Sequence, residues 1–129
     1  MKGLTVASRG AIKVGELEKR SESLLQLWKK KQCTLTRESL LLADGDGKGC
    51  RCKELSFDTI RKLECVERKG ARVYFTIVTT DWREIDFRCE DASSWNAAIT
   101  LALVAFKNER AVREFHARKP VKRWRGWAA

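Results

Sequence analysis

The sequence predicts a mainly β fold, a seven-stranded open barrel or orthogonal sandwich closed by one C-terminal helix. Between Gly15 and Cys89, alternating apolar and polar runs recur, each parted from the next by turn residues. From Ser93 to about His116 the period becomes helical, and no proline or glycine interrupts it. A chain of 129 residues with 43% hydrophobic content suits one domain with a core and is too short for two.

Met1–Lys13 has weak periodicity and reads as a flexible arm. GELEKRSESLLQLWKKKQCTL, from Gly15 to Leu35, reads as a hairpin. Strand side chains change face at every residue, so Gly15, Leu17 and Lys19 share one face. In the second strand Leu27, Lys29, Lys31, Cys33 and Leu35 share one. Leu17, Cys33 and Leu35 require a core, which makes this the inner face. Lys19, Lys29 and Lys31 therefore lie inward as well, at the loop end. An inward ammonium group is costly unless it opens onto water or an anion. The pattern predicts a barrel mouth ringed by lysines, an anion pocket.

Glu38–Ala43 is a short apolar run, and DGDGKGC after it is a loop by turn chemistry. Lys53–Phe57 and Ile60–Glu67 are the next strands, followed by a turn at Arg68-Lys69-Gly70. RVYFTIVT, Arg72–Thr79, is the strongest β signal, and Trp82–Cys89 alternates Ile85, Phe87 and Cys89 against Glu84, Asp86 and Arg88. In the helix, Asp91 or Ser93 caps the first turn, and Trp95, Ile99, Ala102, Leu103 and Phe106 share the core face. Pro120 ends the ordered part; the tail VKRWRGWAA interleaves cations with Trp124 and Trp127, a composition suited to a membrane interface or to stacking on RNA.

The net charge of +10 is segregated: twelve basic against six acidic residues in Met1–Lys53, ten against eleven in Glu54–His116, and five against none in Ala117–Ala129. Such an excess on the hairpin side suits a surface that meets polyanions. No apolar run approaches the roughly 20 residues of a membrane span. The first residues lack a signal-peptide stretch, and no myristoylation or prenylation pattern is present, so peripheral membrane contact is expected. Five cysteines without a secretory signal are expected as free thiols, with Cys33, Cys65 and Cys89 as small core hydrophobes. Cys50-Arg51-Cys52 is too close for a structural zinc hairpin. The D-x-D-G-x-G run resembles a calcium loop, but its twelfth position is Leu55. The single histidine, His116, has no nucleophile to serve, and no phosphate-binding glycine loop precedes a helix. No catalytic residue, metal or cofactor is expected.

Seven strands, a closing helix with an early tryptophan and lysines at the first hairpin's mouth resemble a pleckstrin homology domain. GELEKRSESLLQLWKKK, KELSF, ECVERKG, VYFTIVTTDWREIDFRC and WNAAITLALVAFKN, within Gly15–Arg113, resemble the pleckstrin homology-like domain family A, its small members above all. The resemblance implies an arm over residues 1–13, a pleckstrin homology domain over 14–118 and a basic, tryptophan-containing tail over 119–129. It also implies a cytoplasmic protein that binds phosphoinositide headgroups of anionic membranes peripherally and restrains growth signalling by occupying them. The lipid-binding pattern, a lysine on the first strand and K-x-[KR] on the second, falls on Lys19, Lys29 and Lys31. Many tight inositide binders carry arginine where Lys31 stands. Arginine clamps a phosphate through two parallel hydrogen bonds and lysine acts as a point charge, so broad headgroup preference is implied. Arg20 is expected to supply a fork from the first loop, Arg51 and Lys53 to line the next, and Leu24 and Leu25 to dip into the headgroup layer. The alternative is a protein-interaction module using a sheet edge or the helix face. A monomer is expected, and nucleic acid is not expected as a partner.

Overall fold

The computed structural model describes residues 10–21, 24–44 and 52–117. Seven strands form one antiparallel sheet in the order β4-β3-β2-β1-β7-β6-β5. They are β1 Ala11–Arg20, β2 Trp28–Thr36, β3 Ser39–Asp44, β4 Cys52–Ser56, β5 Ile60–Lys69, β6 Arg72–Thr79 and β7 Glu84–Glu90. The sheet curls into a half-barrel, and helix α1, Trp95–Ala117, packs into its open side.

Alternation decides what the sheet buries. Leu17, Cys33, Leu35, Leu40, Phe75, Ile77 and Phe87 point inward to meet Trp95 and Ile99 of α1. Phe75 and Phe87 stack with ring centres 5.5 Å apart, and Phe57 meets Phe106 edge-on at 5.6 Å. Each such side chain removed from water stabilises the fold by about 1.5–3 kcal/mol. Trp95, 1% exposed, lies against Gly15, where an added Cβ would meet its ring at 3.5 Å. Burial pushes the Cys33 thiol up to about 12, which suits an inert core hydrophobe, and Cys89 is buried and free too. The side chain of Cys65 lies outside the described set.

Four local expectations need correction. Strand β1 begins at Ala11, inside the stretch read as an arm. Its first inward positions hold Ala11 and Lys13 while Ile12 and Val14 face out, so the usual pattern is inverted and hides the strand; Lys13 Nζ instead sits over the Trp95 ring at 5.3 Å. Leu27 is exposed outside β2, because Gln26 takes a left-handed φ of 51° and the strand starts at Trp28. Trp82 likewise has φ 67° and sits in the β6–β7 turn, where the Arg83 N–H donates to Thr79 Oγ1. Neither Asp91 nor Ser93 caps α1: Asp91 pairs with Arg68, and Ser93 Oγ donates to the Glu90 carbonyl. The Ser94 carbonyl accepts from the Ala98 N–H.

Beyond Phe106, residues 107–117 of α1 are exposed and are tied back by Lys107 Nζ to the Arg61 carbonyl and by Arg110 to Asp58. The start of β1 thus lies by the helix, and its far end reaches the lysine cluster. The 45–51 loop and the tail lie outside the described residues, and with them the calcium and zinc readings. Among the described residues no group of three metal-ligating side chains converges, and no helix is long and apolar enough to cross a membrane.

Candidate anion-binding site

Strand parity and register build the site. Lys19 pairs with Lys29, and Leu17 with Lys31, across β1–β2. The three lysines therefore share the face of buried Leu17, Cys33 and Leu35, where the curled sheet opens. Lys53 joins from β4. Lys19, Ser21, Lys29, Lys31 and Lys53 line one cavity of about 190 Å³. A second, of about 560 Å³, shares Lys19, Lys31 and Lys53 and adds Leu42, Asp44 and Cys52. The two voids are continuous in lining, and four ammonium groups converge on them. Like charges directly opposite one another, as at Lys19 and Lys29, weaken a hairpin. Such a local cost is characteristic of a binding site.

Asp44 neutralises part of this charge. Its Oδ1 accepts from Lys31 Nζ at 2.7 Å. Sequence reasoning missed it by ending the third strand at Ala43. The β2–β3 register, Cys33↔Leu42 and Lys31↔Asp44, carries the inner face one position further.

Arg20 does not join the lysines. Strand β1 extends through it, and parity sends its side chain to the outer face. There Arg20 Nη1 donates to Asp86 Oδ2 at 3.2 Å, and its guanidinium lies 5.2 Å from the Trp28 ring centre. Arg88 lies over the same ring at 4.6 Å and pairs with Glu18, its partner across the short β1–β7 junction. Tyr74 meets Trp28 edge-on at 5.7 Å. The neighbouring Arg88 and Arg72 guanidiniums hold its hydroxyl below the usual phenol value. The arginines of this face are thus spoken for by carboxylates and rings. They fasten the hairpin to β6 and β7, on the face opposite the lysines.

The Arg88 hydrogen bond holds the Glu18 carboxyl below its ordinary value. A depressed carboxylate pKa stabilises the fold above the unfolded value and loses that contribution as pH falls through the folded one. Acid titration of thermal stability should therefore fall more steeply below about pH 4.5 in the parent than in Glu18→Gln.

Of the remaining expected residues, Arg51 lies outside the described residues. Leu24 and Leu25 sit in the turn at the hairpin tip, 100% and 74% exposed, with the Ser21 N–H donating to the Leu27 carbonyl beneath them. Both leucines project on the same end of the molecule as the lysines.

This curled sheet, closing helix and cationic mouth define the PH domain class, and the PH domain family profile matches residues 11–103. Among solved structures, the N-terminal PH domain of human ARAP2 superposes with TM-score 0.59 at 22% identity, covering 75% of this chain and 80% of that one. The Slm1 PH domain in complex with inositol-4-phosphate gives 0.56 at 19%, covering 74% and 95%. Curated relatives are much nearer in sequence. Pleckstrin homology-like domain family A member 2 of Xenopus tropicalis is 59% identical over 108 residues, 84% of this chain and 79% of its own. The Homo sapiens member 2 is 56% identical, covering 84% and 70%, and Danio rerio member 3 is 54% identical, covering 76% of each. The chain belongs to the pleckstrin homology-like domain family A.

Proposed function

We propose that this chain is a stand-alone phosphoinositide-binding module. It associates peripherally with the cytoplasmic face of anionic membranes and restrains growth signalling by occupying the inositides that other proteins need. The observation that carries this reading is the convergence of Lys19, Lys29, Lys31 and Lys53 on one open cavity beside two exposed leucines. Ammonium groups attract multiply phosphorylated headgroups as point charges, which favours charge over stereochemistry. Leu24 and Leu25 would add apolar insertion, and neither is needed by the core. The Slm1 PH domain, similar in fold at 19% identity, is seen in complex with inositol-4-phosphate. Its ligand binding is described in the non-canonical site, so it supports the ligand class and not the position of the site.

Sedimentation with phosphatidylcholine vesicles carrying mono-, bis- or trisphosphorylated inositides, or phosphatidylserine, tests it. Binding should rise with phosphate number and exceed that to phosphatidylserine. Equal binding to all four, or none, overturns the assignment. A flat response would favour the second reading, a protein-interaction module. That reading draws on the outward stripe of α1, where Leu101, Val104, Val112 and Phe115 are exposed beside a groove lined by Ile12, Ala105 and Phe106.

A further inference from the structure

Asp44 ends β3 on the inner face, two residues beyond buried Leu42 and directly opposite Lys31 in register. Its carboxylate bonds Lys31 Nζ at 2.7 Å and lines the cavity that Lys19 and Lys53 also line. The Lys31 side chain is 22% exposed and that of Asp44 45%, so the amine is the more enclosed partner and the carboxylate has solvent to turn into.

We infer that Asp44 is an internal counter-ion that competes with the incoming phosphate for Lys31 and thereby sets the affinity of the site. The inference rests on the reading of the lysine cavity as a phosphate site. An anion reaching Lys31 meets an amine already engaged. It must turn Asp44 out into water or sit beside a like charge, and either course weakens binding. Headgroups with a single charge gain least from the lysines, so this penalty leaves them below useful occupancy. Multiply phosphorylated ones gain enough to overcome it.

Asp44→Asn keeps the shape of the side chain and removes the charge. Two probes separate the sources of phosphate: phosphatidylcholine vesicles carrying a phosphatidylinositol bisphosphate, and inositol hexakisphosphate in solution. The variant should melt with the parent and bind more tightly by roughly 1.5–5-fold, the scale of a partly exposed ion pair. Tightening on vesicles alone supports the inference with a lipid headgroup as ligand; tightening with both probes supports it for phosphate chemistry in general. In a Lys31→Met background the gain should shrink, because Asp44 acts through that amine. A parent that binds while Asp44→Asn binds equally or more weakly overturns the inference, since Asp44 would then merely hold Lys31 in place. If parent and variant both ignore both probes, the cavity reading itself has failed and the inference falls with it.

Discussion

Reversing the charge at Lys29 and Lys31 together should abolish sedimentation with vesicles carrying a bisphosphorylated inositide, a loss of at least roughly 100-fold. The two amines share one cavity wall, so the change replaces two attractive contacts by two repulsive ones. Stability should behave differently. Lys29→Glu puts a carboxylate directly across from Lys19, and an opposite-charge cross-strand pair contributes roughly 0.2–1 kcal/mol. Lys31→Glu faces Asp44 and costs a similar amount. The melting temperature should therefore stay close to the parent's while binding is lost. A double variant that sediments like the parent would remove the lysine cavity from the mechanism.

Trp95→Ala should destabilise the fold by about 3–5 kcal/mol in urea denaturation. The indole is nearly inaccessible, fills the space above Gly15 and joins α1 to the start of β1, with Lys13 over its ring. Its loss leaves a cavity where the helix closes the half-barrel. Leu101→Ala is the matching control. Leu101 is 71% exposed on the far side of the same helix, so its truncation should shift stability by no more than about 0.5 kcal/mol. Equal effects at the two positions would mean that the helix is not seated as described.

Much of this architecture is legible in the residues. Ile85, Phe87 and Cys89 in β7 alternate so regularly with Glu84, Asp86 and Arg88 that period alone places them inward, whereas β6 is covered on both faces and buries Thr76 and Val78 along with Phe75 and Ile77. The same rule places Lys19, Lys29 and Lys31 beside Leu17, Cys33 and Leu35, because the fixed parity of a strand links charged and apolar positions. What escaped was non-periodic. Gln26 and Trp82 adopt left-handed backbone conformations that composition does not announce, so the strand starts near them were misplaced. Arg20 was assigned to the loop; once β1 includes it, parity alone turns it away from Lys19. Ala11–Lys13 carries its apolar residue outward, inverting the signal on which strand detection depends. Asp44 depends on pairing between two strands, a relation that no single run of sequence displays.

Ile12, at the helix groove, and Lys19, at the cationic mouth, are seven residues apart on one continuous strand, which separates them by about 23 Å at the usual rise. A lipid held at one end and a protein held at the other would have no steric quarrel. Surface covered at the cationic mouth therefore leaves the exposed stripe of the helix untouched.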